Sequence, residues 1–196
     1  GTYRVRFTSP LAQGNWQWQV QSELPLAPNA GILTACAGSD ANVFGRHGLL
    51  AMSPGKRNAS HADGTPFLVV ADTGWSIPFR ATHDECREYA AFRADQGFNA
   101  VLLMGVQPDR DIVGPRDRMA LDGFAVAFED LPDGHLRRIN LSYFQYLDGL
   151  SQILADAGLA AIWQPVFHGY GWKGGRTAGN GLIPEEYARF CRYLVA

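Results

Sequence analysis

Three apolar runs in this 196-residue chain each end in side chains able to do or support chemistry. PFLVVA (66–71) leads into Asp72, Thr73, Trp75 and Ser76. FNAVLLMG (98–105), with Met104 near its end, leads into Gln107, Asp109, Arg110 and Asp111. LAAIWQPVF (159–167) carries Gln164 and leads into His168, Tyr170, Trp172 and Lys173. Flat rings beside acid and amide groups suit a carbohydrate, whose C–H faces stack on aromatics while its hydroxyls need donors and acceptors. Asp72, Trp75, Gln107, Gln164, His168 and Trp172 are therefore the candidate substrate-binding residues. Duller readings stand beside these. Asp72 fits an Asx turn equally well, Trp75 fits a rim cover, His168 fits a structural histidine, and Asp109, Arg110 and Asp111 fit a solvated charge run. With no second histidine or acid at ligand spacing, no metal site is expected.

The elements that must hold these groups follow from the pattern around them. PFLVVA lacks polar alternation, as a parallel strand buried on both faces does; FNAVLLMG reads as a second buried strand and LAAIWQPVF as the third strand. Thr82 with Glu85 forms a capping box that opens a helix, and Gly97 supplies its C′ residue. Asn140 caps a second helix with apolar positions Phe144, Leu147, Leu150, Leu154 and Ala157, which Gly158 closes. Pro184, with Glu185 and Glu186 in the first turn, starts a third. Three βα units in succession predict a parallel sheet with right-handed crossovers, either open and doubly wound or part of a (β/α)8 barrel. In both cases the functional face is the carboxyl edge of the strands. Residues 1–60 instead show β period. YRVRF and WQWQV, the latter with Trp16, Trp18 and Val20 on one face, are separated by the turn-prone Gln13, Gly14 and Asn15, which predicts an antiparallel hairpin. The expected division is thus a β domain over 1–60 and an α/β domain over 61–196.

Bulk properties narrow the function. A net charge of −2 with dispersed Lys and Arg argues against nucleic acid as a partner. No apolar run is long enough to span a bilayer, and GTYRVRF lacks the features of a signal peptide. Cys36, Cys86 and Cys191 are widely spaced and odd in number, so they read as buried small hydrophobes rather than a disulfide framework or a zinc site. GYGWKG (169–174) matches G-x-G-x-x-G, yet no helix opens on it, and Tyr170 and Trp172 would crowd a pyrophosphate; a nucleotide cofactor is a weak competitor. G-x-S-x-G is absent. The opening alternation Tyr3, Val5, Phe7 is already a strand and the closing FCRYLVA is an uncapped helix, so a piece of a longer chain is expected.

The string DGTPFLVVADTGWSIPFRATHDECREYAAFRADQGFNAVLL (63–103) resembles the apiosidase-like glycoside hydrolases, through Asp63, Gly64, Pro66, Phe67, Asp72, Thr73, Trp75, Arg93, Gln96, Gly97, Phe98 and Asn99. INLSYFQYLDGLSQILADAGLAAIWQP continues the likeness at Asn140, Tyr143, Phe144, Asp148, Ala157, Gly158 and Pro165, and the N-terminal segment is similar to the end of a β-sandwich that precedes such barrels. The resemblance implies the first three βα units of a (β/α)8 TIM barrel after a partial β-sandwich, in an exported enzyme that hydrolyses glycosidic bonds of plant or algal polysaccharides without a cofactor. Such hydrolysis needs two carboxyl groups, one protonated and one ionised. The resemblance puts them on later strands, the first on the fourth, so no catalytic residue is assigned, the isolated piece is expected to be inactive, and Asp72 is a binding or positioning group. PVFHGYGW departs from the "PTWG" common at the third strand exit, which leaves substrate preference open. The rival reading is a noncatalytic carbohydrate-binding or scaffold protein. Oligomeric state is not set by the sequence.

Overall fold

The computed structural model describes residues 14–25, 27–36, 43–108, 110, 126–168 and 177–195. The chain divides into two units, one ending at Phe67 and one running Leu68–Val195.

In the first unit, β1 (Gly14–Gln19) pairs antiparallel with β2 (Ala30–Ala35), Trp16 opposite Leu33 and Trp18 opposite Gly31. The described hairpin therefore joins WQWQ to a later segment. The predicted partner YRVRF lies outside the described residues, and Gly14 and Asn15 belong to the strand rather than to a turn. Gly31 has a packing role, since a Cβ there would come 2.7 Å from the Trp18 indole. After α1 (Val43–His47), the strands β3 (Leu50–Met52), β4 (Ala59–His61) and β5 (Pro66–Phe67) form an antiparallel sheet in that order. The Asp63-Gly64 turn between β4 and β5 is closed by Gly64 at φ +90° and by Asp63, whose carboxylate accepts the Thr65 amide and meets His47 Nδ1 at 2.8 Å.

In the second unit, β6 (Ala71–Thr73), β7 (Ala100–Met104) and β8 (Ala160–Gln164) form a parallel sheet in chain order. Ala71, Ala100 and Ala160 share one rung, and Asp72, Val101 and Ala161 the next. Because strand side chains alternate, Asp72, Val101, Leu103, Ala161 and Trp163 lie on one face, and Thr73, Leu102, Ile162 and Gln164 on the other. The helices are α2 (Ile77–Arg80), α3 (His83–Asp95), α4 (Leu141–Asp156) and α5 (Pro184–Val195). Their caps follow the sequence: Thr82 and Glu85 form the reciprocal capping box of α3, and the Asn140 side chain accepts the Ser142 amide. Gly97 at φ +83° and Gly158 at φ +78° end α3 and α4. In each case the residue after the glycine donates back to a helical carbonyl, Phe98 to Arg93 and Leu159 to Leu154. The core joins Cys86 and Ala90 of α3, Val101 and Leu103 of β7, Leu147, Leu150 and Leu154 of α4, and Phe190 of α5.

Two expectations are corrected. PFLVVA is not one doubly buried strand: Pro66 and Phe67 pair with β4, residues 68–70 form no ladder, and only then does β6 begin. Leu68 is 81% exposed. Residues 68–70 are held instead by Asn99, whose side chain donates to the Leu68 carbonyl and accepts the Val70 amide while its own amide donates to the Val70 carbonyl. Nor are the cysteines uniformly buried. All three are free thiols, but only Cys86 is buried and Cys36 is exposed. Burial pushes the Cys86 thiol up to about 11. Among the described residues no helix is long and apolar enough to cross a membrane.

Candidate functional site

The carboxyl edge of β6, β7 and β8 is stitched together by main-chain bonds. Met104 donates to the Trp75 carbonyl, Gly105 to the Gln164 carbonyl, Ala178 to that of Pro108 and Gly179 to that of Phe167. From α4, the buried Tyr143 hydroxyl donates to the Gly105 carbonyl at 3.0 Å. Helix layer and strand ends are thereby fixed to one another.

On this edge the Trp75 indole sits 5.9 Å from the Phe167 ring, centre to centre. It is half-buried, and its Nε1–H is shielded from solvent without a hydrogen-bond partner among the described residues. Gln164 is half-buried at the end of β8, beside Met104. His168 is exposed and meets Tyr187 of α5 edge-on at 5.7 Å. Gln107 is 3% exposed and already has an interaction partner, so it faces the interior. Trp172 lies outside the described residues, as do Tyr170, Lys173, Asp109 and Asp111. The strand ends thus bring Trp75, Phe167 and Gln164 to one edge, with His168 on the following segment.

Asp72 is placed differently. It lies within β6, one position short of the strand end, on the face that carries α3. Its Oδ2 accepts from the Tyr89 hydroxyl at 2.8 Å and pairs with Arg93 Nε at 2.7 Å, while Oδ1 accepts the Thr73 amide. The Tyr89 hydrogen bond, with the Thr73 amide and Arg93, holds the carboxyl below the ordinary aspartate range against a modest cost of burial. Tyr89 and Arg93 are one helical turn apart, so one face of α3 grips one strand residue. The spacing of those two residues was readable in the sequence, but the face of Asp72 was not.

A second polar group escaped the sequence reading. Asp130, 3% exposed, accepts the amides of Arg137 and Arg138, and Glu186, 7% exposed, accepts the Leu136 amide at 2.8 Å. Arg137 Nε lies 3.4 Å from Asp130 and 3.5 Å from Glu186, and His135 Nδ1 lies 3.3 Å from Glu186. Glu186 thus closes segment 126–139 onto α5, a role beyond the dipole pairing expected of a first-turn acid. The Leu136 amide is the main cause of its lowered pKa. Burial works against ionisation of Asp130, yet the Arg138 and Arg137 amides outweigh it and the net direction is also down. Asp72, Asp130 and Glu186 are therefore all ionised near neutrality, and a general acid needs the opposite shift. Among the described residues no group of three His, Cys, Asp or Glu is arranged to hold a metal ion.

The family model for the apiosidase-like catalytic domain matches residues 53–196, well over half of the chain. The chain belongs to that family. No curated protein sequence matches it. Among solved structures, the apiosidase-like chain is similar to a glycoside hydrolase family 5 protein from Bacteroides vulgatus, with 26% identity and a TM-score of 0.43 over 60% of this chain and 24% of that one. It is also similar to a structure described as a glycoside hydrolase, with 24% identity and a TM-score of 0.45 over 58% of this chain and 24% of that one. The apiosidase-like chain thus spans about a quarter of the length of these solved proteins.

Proposed function

We propose that this chain is the sugar-docking part of a glycosidase acting on plant or algal polysaccharides, built as the opening three βα units of a (β/α)8 barrel. The family match over 53–196 carries this reading. It is supported by the aromatic pair Trp75 and Phe167 beside Gln164 at the carboxyl edge of the sheet. In this reading Trp75, Gln164, His168 and Trp172 contact sugar. Gln107 and Asp72 act from behind, Gln107 from the interior and Asp72 as a positioning residue that fixes β6 to α3. The carboxyl pair needed for hydrolysis comes from further strands of the barrel, because the shielded carboxylates described in this unit are ionised and committed to cations and amides.

That last observation equally favours a second reading, a noncatalytic carbohydrate-binding protein of the same family. Both readings are tested by titrating the chain with pectic and algal oligosaccharides while following tryptophan fluorescence. A saturable change that weakens roughly tenfold in Trp75→Ala is expected, from the loss of a stacked ring. If no glycan perturbs the fluorescence, docking on this edge is wrong. Reducing-sugar release by a longer chain carrying the later strands separates enzyme from binding protein.

A further inference from the structure

Asn180 is the one asparagine of the chain that precedes a glycine; every other asparagine is followed by a residue with a side chain. The order matters because the main-chain nitrogen after an asparagine lies within reach of its side-chain amide carbon, and a glycine leaves that nitrogen uncrowded. Asn180 and Gly181 lie in the connection between β8 and α5, and both are exposed. Gly181 has φ +74°, a conformation that resists a side chain. The segment is held on either side. Thr177 and Ala178 are buried, the Ala178 amide donates to the Pro108 carbonyl, the Asn180 amide donates to the Thr177 carbonyl at 3.0 Å, and α5 begins at Pro184.

A cation stands beside Gly181. Arg110, from the connection between β7 and α4, is half-buried, which does not fit a solvated charge run. A Cβ on Gly181 would come 3.0 Å from its Nη2, and one on Gly134 3.0 Å from its Nη1. Attack by the Gly181 nitrogen requires it to give up its proton, and a neighbouring positive charge favours the deprotonated form.

We propose that Asn180 is a site of spontaneous modification, at which the chain converts a side-chain amide into a carboxylate. The Gly181 nitrogen, its proton lost to solvent, attacks Asn180 Cγ; the bond from Cγ to Nδ2 breaks and ammonia departs, leaving a succinimide. Water then opens the ring at one of its two carbonyls, giving aspartate or isoaspartate. Water enters, ammonia leaves, nothing is oxidised or reduced, and the chain gains a negative charge. The isoaspartyl product lengthens the main chain between Ala178 and α5. It does so next to the candidate docking edge, because the His168 ring rests on Gly179, where a Cβ would come 2.6 Å from Nδ1.

Incubation of the folded chain at pH 8, followed by trypsin and mass spectrometry, tests this. The peptide 177–189, in which Asn180 is the one asparagine, should gain the mass difference between OH and NH2, and part of it should accept a methyl group from protein-isoaspartate methyltransferase. Peptides holding the other asparagines should stay unchanged over the same period. Conversion should be roughly tenfold slower at pH 7, as a deprotonated nucleophile requires. It should run at least as fast in the folded chain as in a synthetic peptide 177–189, slow severalfold in Arg110→Gln, and vanish in Asn180→Gln, with thermal melting as the check that both variants fold. Slower conversion in the folded chain than in the free peptide overturns the inference, since the fold then protects the site, and so does earlier conversion of any other asparagine. An unchanged rate in a folded Arg110→Gln overturns the part given to Arg110.

Discussion

Asp72 shows how one position along a strand decides a role. A residue just beyond the strand end is free to line a site, whereas one place earlier the alternation of the pleat commits it to a face, here the face held by Tyr89 and Arg93. Its residue type and its proximity to the carboxyl edge were legible. The start of β6 at Ala71 was not, because Asn99, 29 residues later in sequence, holds the Val70 amide that would otherwise begin the ladder. Tyr89→Phe removes one hydrogen bond to a carboxylate and should cost about 1.5 kcal/mol by urea denaturation at pH 7. The pH dependence has a definite sign. A carboxylate with a lowered folded pKa contributes fully above its unfolded value of about 4, and the contribution is lost as pH falls through the lower folded value. The stability difference between the native chain and Asp72→Asn should therefore be constant from pH 7 to pH 5 and shrink below pH 4. A difference unchanged at pH 3 would mean that the charge on Asp72 is not what matters. Asp63 follows the same rule in the first unit, where the hydrogen bond from His47 brings its carboxyl to about 2, so its contribution fades between pH 4 and 2.

At the scale of elements, legibility followed the range of the forces. The ends of α3 and α4 were readable because caps act within a few residues: Thr82 on Glu85, Asn140 on Ser142, Gly97 and Gly158 at their C′ positions. Thr82→Ala should cost about 1 kcal/mol. Gly97→Ala, which forces a Cβ into the left-handed region, should cost about 1 to 2 kcal/mol, although nothing stands within 4 Å of the added atom. Thermal melting of both variants checks this; a neutral Gly97→Ala would show that the turn relaxes. The apolar face of α4 was equally readable, with Phe144, Leu147, Leu150 and Leu154 all buried. Apolarity alone misled at PFLVVA, because a continuous run of β-formers carries no mark of where one strand ends and another begins. The short α2 was missed too. It places Pro78 and Phe79 in the core within a single turn, too few residues for a helical period to show.

The whole molecule adds couplings between segments far apart in the chain, and these decided what the sequence concealed about the site. Arg110 read as a charge run because its glycine neighbours, Gly134 and Gly181, lie 24 and 71 residues away. Glu186 read as a dipole partner of its own helix because the Leu136 amide it holds is 50 residues upstream. That bond makes a test of how α5 constrains the segment joining β7 to α4. The Leu136 amide is buried and Glu186 is its acceptor at 2.8 Å, so its hydrogen exchange depends on the carboxylate staying ionised and in place. In Glu186→Ala the acceptor is gone, and protection of the Leu136 amide should fall roughly tenfold or more. Glu186→Gln keeps an acceptor oxygen but loses the charge facing Arg137 and His135, so it should fall between the two. If Leu136 keeps full protection in Glu186→Ala while α5 remains protected, the antiparallel bridge between Phe128 and Ile139 holds this segment unaided, and the carboxylate is not the clasp.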